Sequence, residues 1–440
     1  MSRLFVLGSA VGEQCRVECV GLWVNFSKVN QTLVAKPLGL FDCVGIELEY
    51  MIVDSASLNV RPISDVILRD EDGQVVSEIE RDDIAWSNEL VAHVIELKTN
   101  GPATSLLGLF DRFQQSVSQI NDQLAKHGAC LLPSAMHPWM DPEKEMTLWP
   151  HDFSPVYQTF NRIFDCKGHG WSNLQSMHIN LPFCGDSQFA SLHAAIRLML
   201  PILPAIAASS PIVDRKLAGN LDHRLEVYRN NSRVVPSVAG MVIPEAVFSS
   251  AEYHVQILQN IYQSMAELDP EGILRDEWCN SRGAIARFQR NAIEIRVLDV
   301  QECPGMDLAI ADLVIAVLKR LTDQKWTKLE EQKSMPTDEL SVQFLKSIVT
   351  ADETEIVGKQ YLKHFGIEAD SISVNQLWRH LADCVSDDLV DPKSSQRIEV
   401  ILQKGPLARR ILRAVGGELS SLESVYHRLA NCLASGVHFE

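Results

Sequence analysis

Three short segments combine acids, an imidazole, an amide and a guanidinium at a spacing of two. They are Gly45-Ile46-Glu47-Leu48-Glu49-Tyr50, Ser176-Met177-His178-Ile179-Asn180-Leu181 and Ile293-Glu294-Ile295-Arg296-Val297. Side chains alternate across a strand, so residues two apart share a face. Glu47 with Glu49, Ser176 with His178 and Asn180, and Glu294 with Arg296 would each lie opposite a row of apolar residues. A half-solvated sheet also carries polar residues outward, but two glutamates on one face repel unless a cation lies between them. Oxygen ligands with one imidazole suit Mg²⁺, with Mn²⁺ as the alternative ion, and the same site could receive phosphate oxygens through that metal. Glu89 and Glu96 add two further acids. Their separation of seven is odd, so one unbroken strand would send them to opposite faces, and a bulge or a loop before the strand is needed to unite them.

The elements that must position these groups follow from pattern. Strands are expected from Asp42 to Val53, Leu90 to Thr99, Ala129 to Ser134, Asn173 to Phe183 and Ala292 to Val300. Helices are expected from a Thr104 cap to His127, over Ser187–Ala208, Ala251–Leu268 and Asp307–Thr322, and then in most of the chain after residue 325. Residues 209–247 read as irregular, and Val17–Val24 as a weak extra strand. Strands do not alternate regularly with helices, which predicts an α+β fold on an antiparallel sheet rather than a doubly wound parallel one. The division read from these shifts is an extension at 1–36, a catalytic domain at 37–325 and a helical C-terminal region at 326–440.

Composition narrows the function classes. Forty basic and fifty-seven acidic residues leave a net charge of −17 with no dense basic block, a field that repels nucleic acid and anionic lipid. No apolar run is long enough to span a bilayer, and the Leu4–Val11 stretch makes a poor signal peptide. Ten dispersed cysteines without a C-x-x-C pair read as reduced thiols of a cytoplasmic protein rather than a zinc site. There is no G-x-x-x-x-G-K-[ST] loop, no G-x-G-x-x-G after a strand and no H-E-x-x-H. Gly168-His169-Gly170-Trp171 reads as a turn, His93 and His137 as packed histidines, and Trp139 and Trp149 as packing under a loop. The apolar helical faces leave room for a homodimer.

In this order, the segments resemble the second glutamate–cysteine ligase family, which includes bacterial carboxylate–amine ligases. The stretches that carry the resemblance are Gly45–Glu49, Glu89–Thr99, Ser134-Ala135-Met136-His137-Pro138, Met177–Asn180, Ala208-Ser209-Ser210-Pro211, Arg224, and Ile293–Asp299, spread over roughly residues 40–325. The resemblance implies a glutamine-synthetase-like antiparallel sheet, with helices on its other face and a concave face that holds Mg²⁺ and ATP. It further implies Glu47, Glu49, Glu89, Glu96, His178 and Glu294 as metal ligands, His178, Asn180 and Arg296 as nucleotide-binding positions, and Arg224 and Arg296 as the guanidinium groups that face the phosphates. The activity it implies is ATP-dependent joining of a small carboxylate, glutamate by default, to an amino acid or amine. A guanidino-type phosphotransferase and a catalytically silent binding relative are the alternatives. Two departures bear on the substrate: Asn180 stands where the bacterial ligases often carry a second His, and Val94 where many members place Gln.

Overall fold

The computed structural model describes residues 37–416 and 419–440. The expected 1–36 extension and the Val17–Val24 strand lie outside these residues. Among the described residues, the main sheet has eight strands, all paired antiparallel. We number them β1 (Gly45–Asp54), β2 (Glu78–Arg81), β3 (Ile84–Asn88), β4 (Val94–Thr99), β5 (Ala129–Leu132), β6 (Ser176–Pro182), β7 (Ala284–Arg287) and β8 (Ala292–Asp299). Their order is β2-β3-β4-β1-β6-β8-β7. One edge of β1 is shared, its first half pairing with β6 and its second half with β5.

The apolar face carries Ile46, Leu48, Tyr50, Trp86, Ile95, Leu97, Met177, Ile179, Leu181, Ile293 and Ile295, all buried. Three long helices share a core with it: α1 (Leu109–Ala125), α2 (Gly185–Met199) and α4 (Pro304–Thr322), with α3 (His223–Asn231) between the last two in sequence. Nearly every residue of α4 from Pro304 to Leu318 is buried, as expected of a helix surrounded by protein on all sides.

Several expectations shift. Helix α1 starts five residues after Thr104, because Val44 and Ala103 exchange two backbone hydrogen bonds (2.8 and 2.9 Å) that hold the entry extended. The strand expected from Leu90 begins at Val94, and β2, β3 and β7 were not expected at all. The stretch 209–247, read as irregular, contains α3, capped by the Asp222 carboxylate accepting from the Leu225 amide at 3.0 Å. The helices between residues 325 and 404 enter the same core: Tyr361 and Trp378 donate to the carbonyls of Leu198 and Ile202 at 2.7 and 2.8 Å. Residues 37–440 form one compact unit.

Candidate functional site

Register converts the alternating strands into rows that cross the sheet. The first row runs Glu78, Ser87, Glu96 and Glu49 through β2, β3, β4 and β1. The second runs Lys98, Glu47 and His178 through β4, β1 and β6. The third pairs Asn180 of β6 with Glu294 of β8, beside Gly45. Gly45 lets the two strands pack closely there, since a Cβ would meet that of Asn180 at 3.0 Å.

Glu89 and Glu96 belong to two different strands. The chain reverses between β3 and β4, and Ser87 pairs with Glu96. Glu89 lies two residues beyond Ser87 and just past the end of β3, so the odd separation of seven does not divide the acids. The loop alternative holds and no bulge is required in this hairpin. A bulge does occur in β8, where Arg296 and Val297 together oppose His178 between the pairs Ile295–Ile179 and Leu298–Met177. The extra residue brings Asp299 opposite Ser176, onto the polar side.

The polar side chains interlock. His178 Nδ1 is 2.8 Å from Glu47 Oε2 and 3.6 Å from Glu294 Oε1, while its Nε2 is 2.9 Å from Ser176 Oγ. Ser176 donates from both its amide (2.7 Å) and its hydroxyl (2.9 Å) to Glu49 Oε2. Asn180 Nδ2 donates to Glu47 Oε1 at 3.0 Å, and Ser87 Oγ to Glu96 Oε1 at 2.7 Å. Arg296 Nε stands 3.0 Å from Glu294 Oε1. Ligand atoms of Glu47, His178 and Glu294, and again of Glu49, Glu96 and His178, lie within 4.8 Å of one another.

Charge in this cluster is only partly neutralised. Burial alone would raise Glu47, but the His178 hydrogen bond and charge outweigh it and hold its carboxyl at about 2. Burial lowers His178, yet its bond to Glu47 and the Glu49 charge raise it overall. Glu89 goes the other way: burial, then repulsion from Glu96 and Glu49, pushes its carboxyl well above the usual range. Glu96 is also raised, by burial first, against the opposing pull of Lys98. Two acids held above their ordinary range beside further carboxylates is the electrostatic condition that a bound cation relieves, so the donor set fits Mg²⁺ or Mn²⁺.

The two arginines are placed differently. Arg296 reaches the polar face with its side chain 25 % exposed. Arg224, at the start of α3, has its side chain 2 % exposed and pairs with Asp299. Its two terminal nitrogens donate to the Arg296 carbonyl at 3.3 Å each, and the charges of Asp299, Asp222 and Glu49 all act on it. Asp299 also accepts from the Ser209 amide (2.8 Å) and the Ser210 hydroxyl (2.9 Å).

Lys98, Ser87 and Asp299 were not among the expected site residues. Lys98 carried a signal, being two residues from Glu96 and therefore on its face. His93 and His137 are buried against the carbonyls of Ser172 and Leu58 at 2.8 and 2.7 Å. Trp149 is buried in the core. Gly168 caps a one-turn helix, His169–Ser172, and Gly170 lies close to α3, where a Cβ would meet Val227 O at 3.0 Å.

Residues 43–356 match the model of glutamate–cysteine ligase family 2. The chain belongs to that family. An uncharacterised protein of Archaeoglobus fulgidus is 38 % identical over 278 residues, covering 63 % of this chain and 74 % of that one. A Bradyrhizobium sp. (strain ORS 278) protein provisionally assigned as glutamate–cysteine ligase 2 is 26 % identical over 297 residues, 63 % of this chain and 61 % of its own. In three dimensions the chain is similar to the glutamate–cysteine ligase of Francisella tularensis crystallised with AMP. The TM-score is 0.60 at 14 % identity, over 91 % of this chain and 90 % of that one. The fold is the glutamine-synthetase-like α+β fold of these ligases. Among the described residues, no helix is long and apolar enough to cross a membrane.

Proposed function

We propose that the protein is an ATP- and Mg²⁺-dependent carboxylate–amine ligase that forms an amide, by default γ-glutamyl, through an acyl phosphate. The observation that carries this reading is the convergence of Glu47, Glu49, Glu96, His178 and Glu294 on one sheet face, within a chain of glutamate–cysteine ligase family 2. The nucleotide in the Francisella crystal structure adds support for a nucleotide here.

In this reading the five glutamates, Glu89 included, and His178 hold the metal. Mg²⁺ supplies charge neutralisation between the ATP phosphates and the incoming carboxylate when bound. Ser176 and Ser87 orient Glu49 and Glu96 by occupying one carboxylate oxygen of each. The substrate carboxylate attacks the γ-phosphorus, the bond to the β-phosphate oxygen breaks, and ADP leaves. Arg296 faces the charge on the transferred oxygens from the polar side, and Arg224 acts through it by fixing its carbonyl. The acceptor amine then attacks the acyl carbon, phosphate departs and a proton is released. Asn180 holds Glu47 and borders the nucleotide position.

The test is phosphate release from ATP and Mg²⁺ with glutamate and each of the twenty amino acids or simple amines, with product masses read in parallel and Glu49→Gln as the inactive control. An acceptor-dependent amide, lost in the variant, is the expected result. A phosphorylated small molecule in place of an amide would move the assignment to a phosphotransferase. Absence of both ATP turnover and metal-dependent ATP binding would sink the reading.

A further inference from the structure

Lys98 pairs in register with Glu47 and stands two residues from Glu96, which places its side chain among acids on the polar face. Its Nζ is 2.7 Å from Glu78 Oε2 and 3.2 Å from Glu96 Oε1, with the side chain 18 % exposed. Glu78 is brought there by β2, whose pairing with β3 puts it in the same row as Ser87 and Glu96. Among the described residues, Lys98 is the one cation paired with either Glu78 or Glu96. The ammonium therefore has the surroundings of a coordinated ion: two carboxylates in contact and Glu47 directly across in register.

We propose that the Lys98 ammonium permanently fills a cation position that Glu78, Glu96 and Glu47 would otherwise offer to a divalent metal, so that the site holds one ion fewer than its acids could support. The inference rests on the metal-site reading above and specifies its stoichiometry. Glu96 Oε1 already accepts from Ser87 Oγ at 2.7 Å and faces the ammonium at 3.2 Å, which leaves Oε2 as its free ligand atom. A divalent ion on the Glu78 side would have to stand where Nζ is. Lys98 thus supplies fixed charge at the outer end of the two rows, and exchangeable metal is confined to the inner side, where Glu47 and Glu96 meet Glu49, His178 and Glu294.

The experiment counts bound Mn²⁺ per chain by equilibrium dialysis with metal analysis on the full chain at saturating Mn²⁺, without nucleotide. Lys98→Met keeps the apolar stem and removes the charge, and it should bind one Mn²⁺ more than the unsubstituted protein. Adding Glu78→Gln to that variant should return the count to its original value. Equal counts for the protein and Lys98→Met overturn the proposal, as does an extra ion that survives Glu78→Gln. If Lys98→Met is unfolded without metal, Mn²⁺ must restore its Tm to that of the unsubstituted protein; failure to do so also overturns it. A protein that binds no Mn²⁺ and turns over no ATP would defeat the ligase reading separately, because the difference in count between the two proteins still decides the role of Lys98.

Discussion

Arg224 and Arg296 are both cations near the C-terminal end of β8, yet they should fail differently when removed. Arg296 stands against Glu294 on the polar face, so Arg296→Gln should lower kcat by about 10²–10³ with little loss of stability, as removal of a charge-stabilising donor does. Arg224→Met instead strands the buried Asp299 without its cation and should cost about 3–5 kcal/mol in denaturant unfolding. Equal stability losses for the two variants would contradict this division. Pattern alone could not make the distinction. Arg296 alternates with Glu294 in a visible strand, whereas Arg224 lies in a polar stretch where α3 is hidden by its many Asn and Arg residues. Lys98 was legible by parity from Glu96, but its partner Glu78 belongs to an edge strand of four residues without an apolar alternation.

At the scale of elements, the strands whose polar and apolar residues alternate in sequence, β1, β6 and β8, were readable, and β4 and β5 were placed as well. Missing from that reading were β3, buried along its whole length, and the short β2 and β7. The β3 sequence, Ile-Ala-Trp-Ser-Asn, lacks the apolar–polar alternation on which the reading depends. The reversal between Glu89 and Glu96 left the choice between bulge and loop open, because it contains neither the Asn-Gly nor the Asp-Gly pair of a tight hairpin. The bulge in β8 gives an element-scale prediction. Gly283 sits beside it, its carbonyl accepting from the Arg296 amide at 2.9 Å, and a Cβ there would lie 2.6 Å from Val297 Cγ1. Gly283→Ala should therefore cost about 1–3 kcal/mol by overpacking. It should lower kcat further than Ile285→Val on the same strand, as steady-state kinetics on the two variants would reveal.

Across the described residues, the sheet, α1, α2, α4 and the helices between residues 325 and 404 share one core. The last two helices pack mainly in a second cluster with Met51, Val53 and Leu58, and the C-terminal segment is fastened by a buried ion pair between Glu302 and Arg410. Phe439 joins that pair: its amide donates to Glu302 at 3.0 Å and its carbonyl accepts from Arg410 at 2.8 Å. Stability should accordingly unfold as one transition and respond to acid through the buried histidines. His193 lies in α2, stacked on Phe189, and burial, then the charge of Arg197, lowers its imidazole to about 3. Its folded value is below its unfolded one, so the unfolded chain takes up the extra proton as pH falls below about 6.5. Stability from this group is complete above that value and declines toward pH 3. Between pH 7.5 and 5, the unsubstituted protein should lose about 2 kcal/mol more than His193→Phe, measured by urea unfolding at both values. A parallel loss in the two proteins would show that the residue is already charged in the fold.

The surplus residue in β8 has a consequence for how this chain tolerates change. In a strict alternation Glu294, Arg296 and Leu298 would share a side, and Asp299 would point into the helices. Because Arg296 and Val297 together oppose His178, the phase is reversed beyond them, and Asp299 emerges where Ser209, Ser210 and Arg224 converge. Loss of a single codon at 296 or 297 would turn the two-to-one bulge into ordinary pairing and leave Leu298 opposite Met177 and Asp299 opposite Ser176. The strand carries one residue to spare here, so a deletion inside the bulge keeps every assignment downstream of it. At this point of the sequence, composition is under tighter constraint than length.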